Sequence, residues 1–429
     1  MRIIDLREEK NNDFFEQLVK RGEVEFEEYY YKVNEIINFV KKEKDYALVD
    51  LTEKFDNFKL NEKNYYFDKS DFEKAYNEID DNLKNALNFA AERIRKYHEK
   101  QKKNSWITTD ENGIILGQKV TPIEKVGIYV PGGKALYPST LLMTAIPAKV
   151  AGVKEIYITS PIFDYVKAKS ILAAAYIAGI EKIFKIGGAH SIAALSFGTD
   201  WIPKVDKIVG PGNIYVAMAK KILFGIIDID MFAGPSEILI ISDGTCRPEF
   251  IANDLLSQAE HDELASSILV TVNEEFAKKV KDIVEREIKV SPRKSIIEKS
   301  IKNYSAIILV NNLNEAVEIA NKIAPEHLEI ITKEPFKILN KIKNAGAIFL
   351  GEYSPEPIGD YVAGTNHVLP TGGTAKFFSP LSVDDFYKKS SIVYISKESY
   401  EELSKNAKVI AKEEGLIHHF KSLEVRDDS

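Results

Sequence analysis

Apolar residues in the first hundred positions recur at three- and four-residue spacing. The runs VEFEEYYYKVNEIINFVKKEKDYALVDLTEKF and DFEKAYNEIDDNLKNALNFAAERIRKYHEKQKK predict amphipathic helices with charged outer faces, and residues 1–105 read as helical. His98 stands among Arg, Lys and Glu on the second run and reads as part of a solvated face. Near residue 120 the period changes. VGIYV (126–130), EIYITS (155–160), IFKIGG (183–188) and DKIVGPGN (206–213) each lead into a helical stretch. A second series follows with EILIISD (237–243), SILVTV (267–272), AIILV (306–310), LEIIT (328–332) and AIFLG (347–351). This β-loop-α rhythm predicts an α/β protein with two doubly wound, Rossmann-like parallel-sheet domains, a helical N-terminal extension and a small C-terminal one. Ligands on such sheets bind beyond the carboxyl ends of the strands, so the informative loops are expected there.

The expected division of the chain is an N-terminal helical arm (1–25), an α/β domain taken as the catalytic one (26–125 with 237–380), a second α/β domain (126–236) and a C-terminal segment (381–429). Within it, EYSPEPIGDYVAGTNHVLPTGGTAKFFSP (352–380) is long, irregular and rich in Gly, Pro and Thr. A loop of that length inside a compact chain is usually functional or disordered, and its aromatic, His and Asp content favours function.

A chain of 429 residues exceeds one hydrophobic core, which agrees with more than one domain. The net charge of −7 gives no reason to expect nucleic acid or an anionic membrane as partner. The start, MRIIDLREEK, turns acidic within a few residues and lacks the apolar stretch of a signal peptide. No apolar run reaches the roughly 18 residues of a membrane span. A soluble, cytoplasmic protein acting on a small molecule is expected. The single cysteine, Cys246, cannot form an intramolecular disulfide, and Gly-Thr-Cys-Arg-Pro reads as a loop between two elements.

Apart from His98, the histidines are His190, His261, His327, His367, His418 and His419, each at an element end or in a Gly/Pro-rich loop. Gln258 and His261 are three apart near the end of the helix DLLSQAEHD. They share one face, either as a pair of metal donors or as a polar helix end. Glu326–His327, in Ala-Pro-Glu-His-Leu, reads either as an acid–base pair facing one pocket or as a Pro-led turn with two solvated side chains. Asp360 can complete a metal site, and His367 can meet a substrate carboxylate or carbonyl oxygen. Pro131-Gly132-Gly133, Gly187-Gly188 and Gly210-Pro211-Gly212-Asn213 each follow a strand. Each suits either a pyrophosphate at a helix N-terminus or a plain turn.

Together the runs VGIYVPGGKALYPSTLLMTAIPAKVAGV, KVDKIVGPGNIYVAMAKK, DMFAGPSEILIISD, DLLSQAEHD, APEHLEI and PIGDYVAGTNHVLPTGGTAKF resemble the histidinol dehydrogenase family, as does the ending EEGLIHHFKSLEVR. The resemblance spans nearly the whole chain. It implies two successive NAD-linked oxidations, from L-histidinol through the aldehyde to L-histidine, the last steps of histidine biosynthesis. It implies one zinc ion per subunit on Gln258, His261, Asp360 and His419, with His419 donated by the partner subunit of a homodimer that shares its active sites. The family's EGLxxH spacing from Glu414 selects His419 over His418. Substrate contacts are implied at Ser236, Gln258, His261, His327, Asp360, Glu414, His367 and His419, and NAD contacts at Tyr129, His190 and Asn213. His190 stands where the family usually has Gln; both side chains donate and accept hydrogen bonds. Within the implied chemistry, zinc positions the substrate, Glu326 activates water and His327 is the general acid/base.

Overall fold

The computed structural model describes residues 1–7, 13–21, 27–110, 113–132, 136–232 and 234–427. They form two compact units, a large one of Met1–Gln101 with Glu124–Phe386 and a small one of Lys102–Ile123 with Tyr387–Ser429.

The large unit carries two six-stranded sheets. In the first the strands run in the order Arg2–Asp5, Ala306–Leu309, Ser266–Thr271, Glu237–Ser242, His327–Ile331 and Ala347–Leu350, all parallel. Alternate residues enter two separate cores. Leu239, Ile241, Val270, Leu328 and Ile330 pack under the helix Leu313–Ile323, and Ile238, Ile240, Leu269 and Ile307 under the helices Pro248–Ala259 and Glu274–Val290. Burial on both faces is why these strands read as unbroken apolar runs. Asparagines set two of the helix starts: Asn273 accepts from the Phe276 N–H, and Asn312 from those of Asn314 and Glu315.

The second sheet is ordered Tyr66–Asp68, Lys182–Phe184, Glu155–Thr159, Lys125–Tyr129, Lys207–Val209 and Asp228–Ile229. Only its Tyr66–Asp68 edge is antiparallel. The helices Glu27–Glu43, Asp45–Asp56, Gly188–Phe197 and Ile214–Leu223 share its core. The α/β class with two parallel-sheet layers is thus as expected.

The first hundred residues differ from the all-helical expectation. Arg2–Asp5 opens the supposed helical arm as a strand beside Ala306–Leu309, and Tyr66–Asp68 pairs with Lys182–Phe184. Each is too short to display a period of its own; the waiting sheet edge makes it a strand. Positions 8–12 and 22–26 of the expected helices lie outside the described residues. His98 is not solvated. It is fully buried on the helix Asp81–Glu99, with Nδ1 2.8 Å from the Ile94 carbonyl and Nε2 3.4 Å from the Asn366 amide, and burial pushes its pKa down.

In the small unit, Ile115–Pro122 pairs antiparallel with Trp106–Thr109 and with Tyr387–Tyr394, followed by the helices Lys397–Glu413 and Ile417–Glu424. Among the described residues no helix is long and apolar enough to cross a membrane.

Candidate active site

The helix Leu313–Ile323 ends on Ala324, whose φ of 52° is left-handed, with its N–H on the Ala320 carbonyl at 2.8 Å. An L-residue with a Cβ is strained there by about 1–2 kcal/mol. The turn directs Pro325, Glu326 and His327 into the next strand. Gly346 lies against it: its N–H bonds the Pro325 carbonyl at 2.9 Å, and a Cβ at this glycine would sit 2.5 Å from the Glu326 carbonyl oxygen.

Glu326 and His327 therefore stand at the amino edge of the first sheet, opposite to the carboxyl edge where informative loops were expected. Ile238 is the strand partner of His327, so Ser236 and Glu237 arrive at the same edge. Gln258 and His261 arrive there too, because a crossover helix returns the chain to the amino edge before the next strand, Ser266–Thr271.

Both members of the pair are buried, so the solvated-turn alternative does not hold. One oxygen of Glu326 accepts from the Glu237 N–H at 2.9 Å. Nδ1 of His327 lies 3.0 Å from the Glu237 carbonyl. A carbonyl can only accept, so Nδ1 carries the hydrogen and Nε2 is the atom left to exchange a proton. Nε2 faces Oδ1 of Asp360 at 3.4 Å. Burial raises the Glu326 carboxyl to about 8, although His327 and the Glu237 N–H favour its charge. Burial opposes the imidazolium of His327, but Glu326, Asp360 and Glu356 outweigh it and raise the ring to about 10. The pair thus retains a proton through neutral pH.

Around it lies a donor set. His327, Glu356 and Asp360 offer ligand atoms all within 4.8 Å of one another. Gln258 is fully buried, yet neither atom of its amide finds a hydrogen-bond partner among the described residues. Leaving such a group unpaired costs about 1–3 kcal/mol, which a bound ligand offsets. His261 is exposed on its outer side, yet the surrounding protein lowers its pKa against the field of Asp360. Burial works to raise Asp360, but His327, His367 and His261 hold it ionised, below its usual range. His367 spans two elements, with Nδ1 3.0 Å from the Asp360 carbonyl and Nε2 3.1 Å from the Thr140 hydroxyl. The mixed nitrogen and oxygen donors, with an orphaned amide among them, suit a zinc-type cation.

The three candidate cofactor residues gather at the carboxyl edge of the second sheet, where the sequence placed them. Tyr129 ends its strand, buried, and its hydroxyl accepts from the Gly188 N–H at 3.4 Å; burial raises it to about 12. His190 is buried in the first turn of the following helix, with Nε2 3.3 Å from the Thr52 hydroxyl, and burial lowers it to about 4. Asn213 is exposed and caps the helix Ile214–Leu223 through the N–H groups of Tyr215 and Val216. Gly210, at φ 113°, is required beneath them: a Cβ there would lie 2.2 Å from the Tyr129 carbonyl oxygen. Lys220 and Asp230, both buried, bond to each other; Asp230 accepts from the Gly210 N–H and Lys220 donates to the Gly210 carbonyl. Two helices begin at this edge, where sheets of this kind can receive a pyrophosphate. Gly133, of the first glycine loop, lies outside the described residues.

Glu414, His418 and His419 belong to the small unit and are exposed there. Cys246 is half-buried in the turn after Ser242, and burial pushes its thiol up, against a nucleophilic role. Sequence reasoning missed Glu356 and Glu237. Glu356 sits in Pro-Glu-Pro, and only its burial and its bond from the Ser257 hydroxyl at 3.0 Å single it out. Glu237 acts through its main chain, which no residue pattern reveals.

A proton-holding pair on one parallel sheet, with dinucleotide-compatible loops on another, is the equipment of an α/β oxidoreductase. The comparisons narrow that class. The histidinol dehydrogenase family profile matches residues 19–427. Histidinol dehydrogenase of Aquifex aeolicus is 55% identical over 428 residues, covering 99% of both chains. That of Clostridium acetobutylicum is 52% identical over 427 residues, again with 99% of each chain. The crystal structure of histidinol dehydrogenase from Elizabethkingia anophelis superposes with a TM-score of 0.93 at 36% identity, covering 100% of this chain and 98% of that one. The chain belongs to the histidinol dehydrogenase family, oxidoreductases of the final steps of histidine biosynthesis.

Proposed function

We propose that the protein oxidises L-histidinol to L-histidinaldehyde and then to L-histidine, each step reducing one NAD. The observation that carries this reading is the geometry of His327: Nδ1 is committed to the Glu237 carbonyl, which leaves Nε2 as the one buried ring atom that can exchange a proton, next to the metal-type donor set. In the first oxidation, with the charge of Asp360 taken up by a bound cation, Nε2 would be free to take the hydroxyl proton as the hydride leaves the carbinol carbon for the nicotinamide. Glu326 then takes a proton from water as it adds to the aldehyde; burial gives this carboxyl a basicity suited to that task. Nε2 accepts again as the hydrate loses its hydride.

Gln258, His261 and Asp360 would hold zinc, with His419 of the partner subunit completing the set. When bound, zinc supplies a fixed charge and attachment for the substrate's nitrogens, and draws the charge of Asp360 away from His327. Ser236, His367 and Glu414 would contact the substrate, and Tyr129, His190 and Asn213 the NAD. The reading includes a homodimer working in the cytoplasm. Incubating the zinc-loaded protein with histidinol and NAD should yield two NADH for each histidine. No NADH under those conditions overturns the proposal.

A further inference from the structure

Glu237 touches both members of the acid–base pair, and does so through its main chain alone. Its N–H donates to Oε2 of Glu326 at 2.9 Å, and its carbonyl accepts from Nδ1 of His327 at 3.0 Å. Its side chain lies in a separate buried set. Arg21 donates from Nε to Oε1 at 2.7 Å and from Nη2 to Oε2 at 2.5 Å, and the Gly372 N–H donates to Oε1 at 3.0 Å. Arg21 is anchored in turn: Nη1 donates to the Leu18 carbonyl at 2.8 Å, and both terminal nitrogens lie 3.4 Å from the carbonyl of Ile323, the last residue of the helix that delivers Glu326. The side chains of the ion pair are only 7% and 4% exposed.

An ion pair this deeply buried is weak evidence for stability, since apolar groups of the same volume serve as well or better. What a bidentate guanidinium–carboxylate pair adds is direction, because its fork admits one planar geometry. Here that direction reaches the chemistry in two ways. The carboxylate of Glu237 is held by three hydrogen bonds from two residues, which restricts the peptide groups on both sides of its Cα. Arg21 also reaches the end of the helix before the strained Ala324 turn.

We infer that Arg21 and Glu237 are positioning residues for Glu326 and His327. The pair fixes which nitrogen of His327 is free and which oxygen of Glu326 is already engaged, while neither side chain meets the substrate. This rests on the acid–base roles proposed above.

The test uses the full-length, zinc-loaded protein. Turnover of histidinol by the unsubstituted protein comes first; its absence would remove the functional reading, an outcome distinct from failure of the positioning role. Arg21→Met alone strands a buried carboxylate, so the informative variant is the double substitution Arg21→Met with Glu237→Gln, which removes both charges at similar volume. It is expected to fold with its zinc content and melting temperature retained, to lose about 10- to 100-fold in kcat, and to keep KM for histidinol and NAD within about twofold. Arg21→Lys, which keeps the charge without the fork, should fall between the two. An unchanged kcat in the folded double variant overturns the inference, as does a rise in KM at constant kcat, or a loss of kcat that only tracks the folded fraction. If the double variant does not fold, folded Arg21→Lys decides: wild-type kcat there overturns the inference, and a fall in kcat at constant KM supports it.

Discussion

Nε2 of His327 and Oδ1 of Asp360 face each other at 3.4 Å, on the side of the imidazole turned away from the Glu237 carbonyl. Glu326 approaches the other nitrogen, with Oε2 3.6 Å from Nδ1. Each side of the ring thus has its own carboxylate, and the tasks of Glu326 and His327 should separate on substitution. With Glu326→Gln, hydride transfer from histidinol should persist within about tenfold, while oxidation of the aldehyde falls by about 10²–10⁴. Single-turnover NADH formation from the alcohol and from the aldehyde measures both, and equal losses would refute the division of labour.

The orphaned amide of Gln258 and the ionised Asp360 make a metal prediction that does not depend on activity. Zinc should raise the melting temperature of the native protein, by about 2.7 kcal/mol of stability at a hundredfold excess over Kd. Asp360→Asn should weaken zinc retention by at least about tenfold. Metal content after dialysis and the zinc-induced shift in melting temperature report this directly. Equal retention in the variant would take Asp360 out of the donor set.

His190 makes stability depend on pH. Burial lowers its folded pKa from 6.5 to about 4, so between those values only the unfolded chain takes up the proton. The contribution is complete above pH 6.5 and is lost as the pH falls towards 4, up to about 3 kcal/mol in all. His190→Gln can keep a hydrogen bond to Thr52 without titrating. Its melting temperature should decline less than that of the native protein across this interval, and superimposable curves would exclude the assignment.

Most of the sheet strands between 126 and 350 are readable because they are long or apolar enough to announce themselves and lead into helices with their own period; Asp228–Ile229, of two residues, is not. Arg2–Asp5 is not, since a strand of four residues, two of them charged, takes its identity from the neighbour that receives it. His98 misleads because the charges around it describe the exposed face of a helix whose other face also needs a polar anchor for Asn366. The edge of the sheet on which chemistry occurs is hidden for a different reason. Position along a strand is visible in sequence, but whether a second layer faces its start or its end is decided by packing between distant segments. Glu326, His327, Gln258 and Asp360 stand out by residue type, whereas Glu356 and Glu237 emerge only once burial and main-chain partners are known.

The placement of Glu326 and His327 at the amino edge leaves the far ends of the same strands free of chemistry. Cys246, the chain's single thiol, lies in the turn just past Ser242, about 17 Å along the strand from Glu237. It therefore offers one defined point of attachment for a fluorophore or a sensor-surface tether. Because burial holds the thiol protonated, coupling should be carried out under alkaline conditions.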